Sequence, residues 1–182
     1  MRITLVLLVA MAATVSGSCR KRVTSDRAAT LDLAPAERPV VALLPNAIDP
    51  SFVLYADGSV LFSRVTRDRG TPINYRVTHL DVTDQDSMLA RLGIGPAFFR
   101  LKSSYDMRPG VTDLGPPVVL CAWHGERRTC VAVRAGLNAD GRASSETPEA
   151  FRAAFDSLVF FDASDAVPAS DSDVARRLSR IR

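Results

Sequence analysis

Apolar residues in this chain fall into short runs separated by turn residues. Residues 40–44 form one such run, and two more, residues 52–56 and 60–65, flank Asp57 and Gly58. Asp-Gly between two apolar runs is typical of a two-residue hairpin loop, because both central residues of a type I′ turn need positive φ. The pattern therefore predicts a β-hairpin near the start of a folded domain.

A two-residue loop at this position fixes the register of the hairpin. Leu54 is expected to face Leu61, and Val53 to face Phe62. Residues 75–80 offer a further strand.

A second hairpin is predicted where residues 117–124 and 127–134 flank Gly125 and Glu126. Glycine at the first loop position suits a type II′ turn. The two halves are then antiparallel neighbours with a fixed register.

That register places Cys121 directly opposite Cys130. Theirs is a non-hydrogen-bonded pair, whose Cα atoms lie about 4.5 Å apart, within the range for a disulfide. In an oxidising compartment we expect a structural disulfide, with two buried thiols or a metal site as the alternatives. Zinc fits poorly because His124 points away from the face that carries Cys121, so no metal and no cofactor are expected. Thiol oxidoreductases place their cysteines two residues apart at the start of a helix. Cys121 and Cys130 are nine residues apart on predicted strands, so they do not fit that pattern.

Two helices have recognisable ends. The first begins at Thr83 or Asp84 and ends at Gly93. Thr147 is expected to cap the second, with Pro148 at its first position. The predicted apolar faces comprise Met88, Leu89 and Leu92 in the first helix, and Phe151, Ala154, Phe155 and Leu158 in the second.

The predicted order is three strands, a helix, two strands and a helix (β-β-β-α-β-β-α). Because hairpins dominate, we expect an α+β fold, an antiparallel sheet built from β-hairpins with helices packed on it. A single domain would span residues 40–162, and residues 163–182 would form a polar tail with a short C-terminal helix. That helix is expected to be peripheral, with its arginines in solvent or near anionic head groups.

The amino terminus has the pattern of a signal peptide, residues 1–18. Arg2 precedes an apolar run over residues 3–15, which is typical of a secretory signal. As a helix this run would reach about 20 Å, short of the roughly 30 Å hydrocarbon core of a membrane. We therefore expect export, followed by a flexible tether over residues 19–39.

Ser-Gly-Ser before Cys19 resembles the lipobox of bacterial lipoproteins, whose peptidase cleaves before a cysteine that becomes lipidated. Cys19 is the predicted lipidation site, and a lipid anchor would hold the protein on the outer side of a bacterial membrane, in the periplasm or at the outer membrane. Ordinary cleavage between Gly17 and Ser18 is the alternative.

Composition excludes several functions. Without Arg2 the chain carries 22 basic and 20 acidic residues, so it is not expected to bind nucleic acid. It has two histidines and three cysteines, which are too few for metal sites built from several His or Cys ligands. Ser103 and Ser104 lie in no Gly-x-Ser-x-Gly elbow, and a hydrolase triad is not supported.

Several sequence segments resemble those of a widespread family of small exported bacterial domains of unknown function. They are FVLYADGSVLF at residues 52–62, FFRLKSSY at 98–105, Thr112-Asp113, and the helix that follows Pro148. The resemblance covers about residues 50 to 160. It implies a compact exported domain, often lipid-anchored, and it implies no activity.

We therefore expect a non-enzymatic binding or structural domain of the cell envelope, with the membrane and an envelope protein as partners. Trp123, beside the tip of the second hairpin, belongs either to the core or, with His124, to a contact surface. The alternative function is an exported enzyme or an inhibitor-like accessory domain that acts on envelope polymers.

Overall fold

One mixed sheet organises the part of the chain that the computed structural model describes, residues 37–45, 50–63, 74–81, 84–111, 115–179 and 181. Its eight strands are β1 Pro39–Leu44, β2 Phe52–Tyr55, β3 Ser59–Ser63, β4 Tyr75–His79, β5 Ser104–Asp106, β6 Val118–His124, β7 Arg127–Arg134 and β8 Val167–Pro168. The helices are α1 Gln85–Arg91, α2 Glu149–Val159 and α3 Asp171–Leu178, with a 3₁₀ helix at Phe98–Arg100.

The strands lie in the order β5-β7-β6-β1-β2-β3-β4-β8, and every pair is antiparallel except β5 with β7. A mostly antiparallel sheet with helices is thus confirmed. The predicted order β-β-β-α-β-β-α is wrong. The described residues form four strands before α1, where three were predicted, and four after it, where two were predicted. Strand β1 is buried on both faces, so its sequence shows no alternation. Strands β5 and β8 are too short to give a periodic signal.

The register predicted for the first hairpin is wrong by one residue. Val53 faces Leu61, and Leu54 faces Val60. The side-chain period of a strand is two, so this shift changes which residues share a face. Leu54 and Val60 lie in the main core, whereas Val53 and Leu61 lie in a second cluster on the other face.

The cause is a three-residue turn, 56–58. The N–H of Gly58 donates to the carbonyl oxygen of Tyr55 at 2.9 Å, and Gly58 has φ +82°. The Asp57 carboxylate accepts hydrogen bonds from the backbone N–H and the hydroxyl of Ser59, at 2.8 and 2.5 Å. Glycine in the left-handed conformation at the third position is the usual end of a three-residue hairpin loop.

The main core lies between one face of the sheet and helices α1 and α2. The predicted apolar faces of both helices are confirmed: Met88, Leu89 and Leu92 are buried, and so are Phe151, Ala154, Phe155 and Leu158. Rings of Phe52 and Phe62 both meet Phe161 edge-on, with centroids 5.1 Å apart.

The helix starts are confirmed in part. Asp84 caps α1 by accepting a hydrogen bond from the N–H of Ser87 at 2.8 Å. Hydrogen bonding from Ser87 lowers the pKa of Asp84 below its usual value. The predicted cap of α2 is wrong, because Pro148 occupies the N-cap position and the Thr147 hydroxyl donates to the Ser144 carbonyl at 2.5 Å.

The opposite face of the sheet is covered by the segment after residue 162. Strand β8 pairs with β4, and Val174, Leu178 and Ile181 pack against Val53, Tyr55 and Leu61. The short C-terminal helix is present as α3. It is a layer of the domain, which corrects the expectation of a peripheral helix in a polar tail.

The arginines of α3 contact protein groups. Arg176 pairs with Glu37 at 3.0 Å and with Asp173 at 3.1 Å. The Arg177 guanidinium lies 5.1 Å from the ring centre of Tyr55 and donates to the Ser59 hydroxyl at 2.8 Å. Arg177 therefore helps hold α3 on the sheet, whereas the Arg176 pairs are exposed and contribute little stability.

Candidate functional site

The second hairpin has the predicted register. Cys121 pairs with Cys130 and His124 with Arg127 across a two-residue loop. Gly125 has φ +60°, as a type II′ turn requires at its first position. The two cysteines lie at disulfide distance, with Sγ atoms 2.08 Å and Cα atoms 4.0 Å apart.

The hairpin tip sends its two candidate contact residues to opposite faces, because neighbouring side chains on a strand alternate. Trp123 is half-buried on the face that carries the cysteines, where the Arg128 guanidinium lies 5.1 Å from its ring centre. His124 is exposed on the other face. The structure therefore does not bring Trp123 and His124 into one surface.

His124 borders a groove of about 570 Å³ between the hairpin tip, α1 and the 3₁₀ helix. We call it the hairpin-tip groove. Its apolar lining includes Leu89, Ile94, Pro96 and Phe99. Its ionisable lining comprises Asp86, Arg100, His124 and Arg127.

The end of α1 shapes one wall of the groove. Gly93 ends the helix with φ +70°, and the N–H of Ile94 returns to the Leu89 carbonyl at 2.9 Å. A side chain at Gly93 would meet the backbone of Ala153 in α2 at 3.2 Å. The chain thus reverses tightly against α2 and presents residues 94–96 to the groove.

Two polar contacts join the hairpin tip to α1 and to the 3₁₀ helix. His124 Nε2 lies 3.0 Å from Asp86 Oδ1, and the two ring centres of His124 and Phe99 are 5.7 Å apart. Arg127 Nη2 donates to the Phe99 carbonyl at 3.0 Å. Both contacts are exposed, so each contributes little stability. Their effect is to hold His124 and Arg127 beside the apolar residues that form the floor of the groove.

These groups suit the binding of a ligand that is apolar at one end and anionic at the other. Arg100 and Arg127 can each donate two hydrogen bonds to a carboxylate, and the floor can accept an apolar side chain. The described lining holds one imidazole paired with one carboxylate, and no serine, threonine or cysteine.

Sequence reasoning missed most of this site. Asp86, Arg100 and Arg127 come from three separate elements, and nothing in their spacing links them. The signal was the exposed end of the second hairpin, which pointed to His124 alone.

The two histidines and Ser104, the groups from which a hydrolase triad would have to be built, lie on three different strands. His79 lies on β4 and His124 on β6, with three strands between them, a separation of about 19 Å at ordinary strand spacing. Ser104 begins the edge strand β5 beyond β7.

A second cavity, of about 490 Å³, lies beside the end of α2. It is mainly apolar, and Arg142 lies over the half-exposed ring of Phe160 at 4.5 Å. It brings together fewer groups of defined chemistry than the hairpin-tip groove does.

No protein-family model, curated protein or solved structure matches this chain. Within the described ranges, no helix is both long enough and apolar enough to cross a membrane. The same residues contain no cluster of three or more His, Cys, Asp or Glu side chains placed to hold a metal ion. Cys19, Thr112 and Asp113 lie outside the described residues.

Proposed function

We propose that this protein is an exported, lipid-anchored bacterial envelope protein whose domain binds an envelope protein partner without catalysing a reaction. The hairpin-tip groove is its binding site. The partner segment carries a large apolar side chain next to one or two carboxylates.

The observation that carries this proposal is the arrangement of charge around the groove. Arg100 and Arg127 both border it, whereas its carboxylate, Asp86, is already paired with His124. An acidic segment would therefore meet two arginines, and the one carboxylate among the ionisable lining residues named above already has a partner. Charge complementarity of this kind selects partners and speeds their encounter more than it adds affinity.

The apolar floor supplies the affinity. Burying one large apolar side chain contributes about 1.5 to 3 kcal/mol before the costs of association. Phe99 is more accessible than the other large apolar side chains of that floor, since it is only half-buried while Leu89 and Ile94 are buried. We expect Phe99 to make the central contact.

A crosslinking experiment in the native bacterium tests the groove. A photoreactive phenylalanine analogue replaces Phe99, or the exposed Ser172 on the outer side of α3 as the control position. We expect one protein to be crosslinked from position 99 only, through a peptide that contains an apolar residue beside Asp or Glu. Arg100→Glu together with Arg127→Glu should abolish that crosslink.

Other outcomes would contradict the proposal. A crosslinked peptide rich in Lys and Arg, or equal crosslinking in the double glutamate variant, would show that charge does not select the partner. Crosslinks to an envelope polymer would instead favour the alternative of an accessory domain acting on such polymers.

Anchoring is tested separately. The apolar run at residues 3–15 and the small residues before Cys19 support it. The intact mass of native protein should correspond to a chain that begins at Cys19 and carries acyl groups. An unlipidated chain that begins at Ser18 would retain export and refute the anchor.

A further inference from the structure

We propose that the bond between Cys121 and Cys130 is a thiol–disulfide exchange site, opened by a dithiol reductant, in which Arg128 stabilises the thiolates that form. The guanidinium of Arg128 contacts both sulfurs. Its Nε lies 3.1 Å from Cys130 Sγ, and its Nη2 lies 3.6 Å from Cys121 Sγ.

The position of Arg128 is held by Trp123. The guanidinium lies over the indole ring, 5.1 Å from its centre, and Arg128 as a residue is exposed. Stacking on tryptophan leaves the guanidinium N–H groups free to point at the sulfurs in its plane. Trp123 therefore acts as a platform for the cation beside the disulfide.

The charge beside the sulfurs comes from Arg128. Ala42 pairs directly with Cys121 on β1, and Ala132 follows Cys130 on the same face of β7. Neither neighbour carries a charge. An adjacent arginine lowers the pKa of a thiol, and a thiol of lower pKa is a better leaving group in exchange.

The two sulfurs differ in access. Cys121 is 1% exposed, whereas Cys130 is partly exposed on its strand. Cys130 is thus the more accessible residue of the pair, so we expect an external thiolate to attack Cys130 Sγ, with Cys121 Sγ, next to Arg128 Nη2, as the leaving group.

The exchange balances in two steps. A thiolate of the dithiol attacks Cys130 Sγ, a mixed disulfide forms, and the electron pair of the broken bond passes to Cys121 Sγ as a thiolate. The second thiolate of the reductant then attacks the reductant's other sulfur, which is bound to Cys130 in the mixed disulfide. Cys130 is released as a thiolate beside Arg128 Nε. The reductant is oxidised to a disulfide, and the protein gains two electrons, and two protons once both thiolates are protonated.

Reduction by dithiothreitol near neutral pH tests the proposal on the oxidised, full-length protein. Samples are alkylated at intervals, and peptides that contain Cys121 and Cys130 are quantified separately from Cys19. Arg128→Met keeps a long side chain over the bond and removes the charge. Arg134→Met is the matched control, since this exposed arginine lies on β7 four residues from Cys130, about 13 Å along the strand.

We expect the disulfide of Arg128→Met to be reduced more slowly than that of the wild type, by a factor of about three or more. The disulfide of Arg128→Lys should be reduced at an intermediate rate, and that of Arg134→Met at the wild-type rate. In the reduced protein, the pH midpoint for alkylation of Cys121 and Cys130 should rise in Arg128→Met. A role as a mere cover would not move that midpoint. If Arg128→Met reduces as fast as the wild type or faster, with unchanged midpoints, the proposal is overturned.

Discussion

Helix α3 is expected to stabilise the whole domain, and replacing its inward side chains tests this. Val53, Tyr55 and Leu61 on the sheet are at most 1% exposed. They form a cluster with Val174 and Leu178 of α3. The perturbation is the double substitution Val174→Ala and Leu178→Ala, which keeps the helix and removes its packing.

The size of the effect follows from the carbon atoms removed. Leu178→Ala removes three carbons and Val174→Ala removes two, and each buried carbon contributes about 0.8 kcal/mol. Both side chains are half-buried, so about half of that applies. The double variant should lose about 2 kcal/mol of unfolding free energy, which lowers the melting temperature by about 6 to 8 °C in a domain of this size.

Thermal unfolding followed by circular dichroism measures this, and urea unfolding gives the free energy. Ala175→Gln on the exposed side of α3 is the control, since glutamine is nearly as good a helix former as alanine. If the double variant melts within 1 °C or so of the control, α3 does not contribute to the packed structure, and the expectation of a peripheral helix would be restored.

Three further results are expected. Replacing Cys121 and Cys130 by Ala should lower the unfolding free energy in urea by about 2 to 3 kcal/mol, because the bond restricts the unfolded chain, and partner binding should remain. Gly58→Ala should cost about 2 kcal/mol or more, since Gly58 has φ +82° and a Cβ would lie 2.7 Å from a backbone carbonyl oxygen; Gly95→Ala, which meets nothing within 4 Å, should be close to neutral. Asp84→Ala should lower the melting temperature at neutral pH, and the difference should shrink on acidification. The Asp84 pKa is lowered in the folded state, so its contribution is complete above the unfolded pKa of about 3.9 and is lost as the pH falls through the folded value.

The two hairpins show how far local sequence determines register. At Gly125 the turn needs one positive φ at the first loop position, and glycine satisfies it, so counting outward placed Cys121 opposite Cys130 correctly. At Gly58 the same residue type ends a three-residue loop, because the Asp57 carboxylate captures the N–H of Ser59. Asp-Gly is compatible with both loops, and the choice between them depends on which residues the two faces of the sheet can bury.

That burial was not visible in the sequence because both faces of strands β2 and β3 are covered. A strand buried on both sides shows a continuous apolar run, which carries no information on which residue faces which layer. The second layer comes from Val174, Leu178 and Ile181, in a segment whose mean composition is polar. A short amphipathic helix contributes two of these apolar residues and Ile181 after it the third, and the segment still has the polar composition of a tail.

The hairpin-tip groove depends on long-range packing in the same way. His124 could be placed at an exposed strand end from its register, but its partner Asp86 lies 38 residues earlier, on a helix whose position over the sheet is set by the burial of Met88 and Leu89. Arg127 reaches the Phe99 carbonyl only because the 3₁₀ helix ends beside the hairpin. Each ionisable residue of the site is thus placed on its own element by the local sequence, and the packing of the core brings these residues together. A variant that shifts α1 should therefore disturb the groove before it unfolds the domain.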